Sequence, residues 1–118
     1  MDKLAIGIDM GGHYIKAALI EEKKILKRWK EPTSKTRAPE GVIDQLQRIV
    51  KQLQPSDNAL PVGVGVPGFL DMGRQHVVLL PNFPNWEGLP LKCMLEDRLK
   101  TNVAIENDAN CFALGEGL

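Results

Sequence analysis

The sequence predicts an α/β domain built on a mixed five-stranded sheet with flanking helices. Three short extended runs near the N-terminus are joined by tight polar turns, which makes an antiparallel meander. After them the order is helix, strand, helix, strand, and a strand–helix–strand order implies a parallel crossover. Composition agrees with a packed domain: 43% apolar and 25% charged residues are values of a globular chain rather than a disordered one.

The first run, Leu4 to Asp9, is apolar almost throughout, as expected of a central strand buried on both faces. Gly11-Gly12 forces a turn, Tyr14 to Ile20 forms the second strand, and Glu21 to Lys24 reverses the chain into a third at Ile25 to Trp29. Beyond a polar loop from Thr33, residues Val42, Ile43, Leu46, Ile49, Val50 and Leu53 recur at three- and four-residue intervals. That spacing predicts an amphipathic helix, with Pro39 suited to its first turn. PVGVGVP at 61–67 is a short strand ended by Pro67-Gly68. Residues 68–90 are rich in Gly, Pro and Asn and read as one long irregular loop. Leu91 to Leu99 is a second helix with Leu91, Met94, Leu95 and Leu99 on one face; Val103 to Glu106 is the last strand, and Asn107-Asp108 would cap a helix from Ala109.

Charge excludes some partners. Fifteen basic and fifteen acidic residues leave no net field to attract nucleic acid or an anionic membrane. The apolar start is too short to span a bilayer, so a cytoplasmic location is expected. Cys93 and Cys111 lie in no CxxC or Cys/His cluster and read as reduced, buried, small hydrophobes; His13 and His76 have no second ligand at zinc spacing.

Three constellations could carry chemistry. In Asp9-Met10-Gly11-Gly12-His13, glycines admit close backbone approach and successive N–H groups can cradle a phosphate. Asp9 could hold Mg²⁺ through water beside it, although a hairpin turn needs glycine in any case. No GK[ST] follows, so this is not a Walker loop. In Glu106-Asn107-Asp108-Ala109-Asn110, Asp108 lies beyond the carboxyl end of a strand, where open α/β sheets gather ligands; it is equally suited to an N-cap. Gly65-Val66-Pro67-Gly68 and Leu80-Pro81-Asn82-Phe83-Pro84-Asn85-Trp86 combine amides with apolar rings, as a sugar site requires and as a proline-stiffened surface loop also would.

IGIDMGGHYIKAALI, GVGVPGFLD, LPNFPNW with LPL, and IENDANCFALGEG together resemble, in order, the motifs of the ROK family of repressors and sugar kinases. The resemblance implies the actin-like, RNase H-like fold of hexokinases, with residues 1–118 as the N-terminal lobe, a sheet ordered 3-2-1-4-5, and a C-terminal lobe absent from this chain. It implies an ATP- and Mg²⁺-dependent kinase of a hexose or N-acetylhexosamine, with a homodimeric parent and zinc only in the missing lobe. By the same similarity Asp108 is the general base, Gly68, Asn82, Asn107 and Asp108 bind sugar, and Asp9, Gly11, Gly12, His13 and Lys16 face phosphates, with Asp9 towards Mg²⁺. His13 stands where the family usually has threonine, which removes a small hydroxyl from the phosphate turn. The rival expectations are a sugar-sensing transcriptional regulator, for which Leu4 leaves no room for a preceding DNA-binding segment, and an actin-like ATPase with no sugar.

Overall fold

The computed structural model describes residues 4–107. Strands β1 (Leu4–Met10), β2 (Tyr14–Glu21) and β3 (Lys24–Pro32) form the meander, followed by helix α1 (Pro39–Leu53) and strand β4 (Val62–Val66). A hairpin of β5 (Phe69–Leu70) and β6 (Val77–Leu79), helix α2 (Leu91–Leu99) and strand β7 (Val103–Asn107) complete the order. The main sheet runs β3-β2-β1-β4-β7, with β1, β4 and β7 mutually parallel. This is the expected order, β7 being the fifth strand.

Strand β1 is central, yet its burial alternates. Ile6, Ile8 and Met10 are buried, whereas Ala5, Gly7 and Asp9 are only partly so. Expected burial on both faces is therefore corrected to one. Helices α1 and α2 pack against each other and join a single core cluster with the Ile6, Ile8, Met10 face. Strands β2, β4 and β7 add Ile15, Ala17, Leu19, Val62, Val64, Val66, Val103 and Ile105 to it. Strand β3 is longer than expected because it pairs with β2 from Glu21↔Lys24 to Tyr14↔Pro32, with an irregularity at Leu19/Ile20.

Helix α1 begins on Pro39 and buries all six periodic apolar residues. Its remaining buried side chain, Gln45, is fully used: Nε2 donates to Pro32 O at 2.7 Å and to Glu31, and Oε1 accepts from Ser34 N at 3.0 Å. Polar satisfaction of this kind removes the penalty of burying an amide. Helix α2 turns Leu91 and Leu95 inward and ends at Lys100, whose φ of 56° is left-handed. Cys93 lies on its outer side and is exposed, contrary to the buried expectation. Cys111 and the expected helix from Ala109 lie outside the described residues.

The segment 68–90 is not one irregular loop. It contains the β5–β6 hairpin and a turn that sends Phe83 and Trp86 into the core, their rings edge-to-face at 5.6 Å. Two- and three-residue strands carry too little periodicity to be read from sequence. Among the described residues no helix is long and apolar enough to cross a membrane.

Candidate active site

Parallel pairing aligns the carboxyl ends of β1, β4 and β7 on one edge of the sheet. Asp9, Gly65 and Glu106 occupy consecutive rungs, and Val66 pairs with Asn107. Two inter-strand spacings put the β1 and β7 backbones about 10 Å apart there. The Gly11-Gly12 turn leaves β1 at this edge, and Asn107 ends β7 at it. Asp108 lies outside the described residues.

The double-glycine turn is held from behind by the segment after β3. Gly11 N–H donates to Tyr14 O at 3.0 Å, and a Cβ on Gly11 would come within 2.6 Å of that oxygen, so only glycine closes the turn. This departs from the expectation of successive free N–H groups, since the Gly11 donor is already committed. Thr33 Oγ1 donates to Gly11 O at 2.7 Å, Arg37 Nε to Gly12 O at 2.6 Å, and Thr33 N to His13 O at 3.0 Å. Three consecutive carbonyls are thus fixed. A Cβ at Gly12 would meet nothing within 4 Å, which leaves that flank of the turn open. His13 is exposed.

Lys16 is exposed and pairs across the ladder with Asp9. The Asp9 carboxylate has no hydrogen-bond or ion-pair partner among the described residues and is half-buried. A lone hard oxygen donor beside the glycine turn fits Mg²⁺, which takes one or two carboxylates and completes its shell with water and phosphate oxygens. No cluster of three His, Cys, Asp or Glu side chains is present among the described residues, so an all-protein cage is not offered here.

On the far side of the edge, Gly68 and Asn107 line one cleft of about 300 Å³ together with Phe69, Leu70, Asp71 and Arg74. A Cβ on Gly68 would collide with Leu79 O and reach within 2.7 Å of Leu80 Cδ1, so the hairpin packs directly on its backbone. Sequence reasoning missed two residues of this wall. Arg74, at the hairpin tip, forms an ion pair with Glu106 of β7 at 2.8 Å. Asp71 braces the tip: its Oδ1 accepts from Gln75 N at 2.8 Å and His76 N at 3.1 Å. Those backbone N–H groups, His76 first, hold its carboxyl below the usual carboxylate range. In the sequence both residues fall in the 68–90 stretch read as one irregular loop, and nothing there ties them to β7. Asn82 is exposed with φ of 67° and is not in the wall of this cleft; it immediately precedes Phe83.

Comparison with known proteins agrees with this architecture. The sequence profile of the ROK family matches residues 5–118. A glucokinase of Thermotoga maritima is 38% identical over 112 residues, covering 94% of this chain and 35% of that protein. A xylose repressor of Bacillus subtilis is 32% identical over 117 residues, covering 95% and 30%. The crystal structure of a ROK family glucokinase from Streptomyces griseus, in complex with glucose and AMPPNP, superposes with a TM-score of 0.84 at 37% identity, covering 96% of this chain and 36% of that one. The chain therefore spans about a third of the length of these relatives. With its 3-2-1-4-5 sheet of the actin-like, hexokinase type, the chain belongs to the ROK family.

Proposed function

We propose that this lobe belongs to an ATP-dependent kinase of a hexose or N-acetylhexosamine, with Asp108 as general base. The observation that carries the reading is the common sheet edge of β1 and β7, where the glycine turn faces the strand end that leads directly into Asp108. The reaction transfers the γ-phosphoryl group of ATP to a sugar hydroxyl. The hydroxyl oxygen bonds to the γ-phosphorus, the bond to the bridging oxygen of ADP breaks, and the hydroxyl proton passes to the Asp108 carboxylate. The helix that the sequence predicts from Ala109 would make this carboxylate a weak base. It suffices because phosphoryl transfer proceeds through a loose transition state in which positioning and charge neutralisation dominate.

Asn107, Asn82 and the Gly68 backbone bind sugar hydroxyls together with Asp108. Gly12, Gly11, His13 and Lys16 face the phosphates, with the open flank of Gly12 as the point of closest approach. Asp9 would hold Mg²⁺, which when bound would supply neutralising charge to the phosphate oxygens. The remaining sugar and nucleotide contacts belong to a second lobe, so residues 1–118 alone do not turn over. The intact protein is a cytoplasmic homodimer in this reading.

A coupled ADP-release assay with glucose and MgATP tests it. The two-lobed protein turns over and the 118-residue chain does not; robust turnover by the short chain defeats the proposal. In the two-lobed protein, Asp108→Asn lowers kcat by about 10²–10⁴-fold with a modest change in sugar affinity. A near-wild-type rate removes Asp108 from the role of base. The similarity to a xylose repressor supports a second reading, a sugar-sensing regulator, which would retard operator DNA in a gel-shift experiment and show no sugar-dependent ADP release.

A further inference from the structure

We propose that Arg37 is a positioning residue for the phosphate turn, and that Trp86 of the sugar segment holds it there, so that one hydrogen-bonded strut ties the glycine turn to the 83–86 turn. The functional part of this inference rests on the kinase reading above. The geometry is direct: Trp86 Nε1 donates to Arg37 O at 2.7 Å, and Arg37 Nε donates to Gly12 O at 2.6 Å. Trp86 is 0% exposed and its ring meets Phe83, the residue after Asn82. A buried indole N–H must find an acceptor, so the 83–86 turn cannot shift without moving residue 37 or leaving that donor unsatisfied. At the other end, glycine gives the bend at 11–12 wide conformational freedom, and fixing its carbonyls determines where its N–H groups point. Arg37 itself is tightly set, with a left-handed φ of 54° and its N–H bonded to Ser34 O at 3.0 Å. The guanidinium also brings positive charge to the turn in which His13 replaces a hydroxyl.

Spatial continuity is not yet coupling, and the test must measure coupling. In ¹⁵N spectra of the 118-residue chain, Trp86→Phe keeps the ring and deletes only the donor. The expected result is displaced amide signals of Gly12 and His13, with those of α1 unchanged; unmoved Gly12 and His13 signals overturn the strut. Should Trp86→Phe fail to fold, Arg37→Ala compared with Arg37→Gln decides the same point. Both share the positive φ, but only Gln retains a donor for Gly12 O.

In the two-lobed protein, Arg37→Ala is expected to raise KM for MgATP by about tenfold, the scale of one lost charge-assisted hydrogen bond. KM for glucose stays within about twofold, and Arg37→Gln recovers most of the loss. Trp86→Phe, although it lies in the sugar segment, raises the same MgATP KM, and the double variant is no worse than Arg37→Ala alone. Additive effects, or a Trp86→Phe effect confined to glucose, overturn the proposal. If the two-lobed protein phosphorylates no sugar, the kinase reading fails, while the spectra still decide the strut.

Discussion

Gly68 shows how one residue serves two demands. Its place in the sequence suggested backbone access for a sugar, but the structure adds a packing reason: a methyl there would strike Leu79 O and lie 3.1 Å from Leu80 Cα. Backbone atoms cannot rotate aside as a side-chain terminus can. Gly68→Ala should therefore lower the urea midpoint of the 118-residue chain, with a loss of about 1–3 kcal/mol typical of overpacking. An unchanged midpoint would mean that the hairpin relaxes freely away from β4. Trp86 makes a similar point from the opposite direction. Its indole reads in sequence either as a ring for a sugar face or as the pin of a proline-stiffened loop, and the structure buries it fully with its N–H spent on Arg37 O. Sequence identified the residue and left its direction open, because the direction depends on a partner 49 positions away.

The joint between β3 and α1 is the element-level feature that local patterns did not reveal. Glu31 accepts from Trp29 Nε1 at 2.8 Å and from the two terminal guanidinium nitrogens of Arg48, at 3.1 and 2.7 Å. Arg48 above all, helped by Gln45 and Trp29, lowers the Glu31 pKa to about 2. A carboxyl whose pKa falls on folding contributes stability above its unfolded value, and loses it as pH falls through the folded one. The contribution is thus complete above about pH 5 and disappears towards pH 2. Arg48 is 55% exposed, so solvent screening reduces it to about 1–2 kcal/mol. Glu31→Gln should lower Tm at pH 7 and narrow its gap from wild type near pH 2; a constant gap across that range would remove the ion pair from the explanation. The amphipathic pattern of α1 was legible because six apolar residues repeat over about three turns. The β5–β6 hairpin was not, since its strands are too short to show alternation and Arg74 at its tip pairs with the distant Glu106.

At the scale of the whole molecule, the hairpin stands out from an otherwise well-covered core. Phe69, Met72, Val78 and Leu79 are 65, 100, 54 and 43% exposed, an apolar concentration on one projection beside the cleft. Exposed apolar surface of this kind promotes association. Sedimentation of the 118-residue chain should show self-association that Phe69→Asn with Val78→Thr reduces; an unaltered distribution would locate the contact elsewhere. Alternation and three- to four-residue spacing are local properties of the chain, and so the strands of the main sheet, both helices and the glycine turn could be read from the sequence by itself. The motifs also carried the family. Tertiary structure alone decided that β1 is covered on one face by the two described helices, that the Gly11 N–H closes its own turn, and that Arg37, Trp86 and Gly12 meet. These facts depend on hydrogen bonds and steric limits between segments far apart in sequence, which no local pattern encodes.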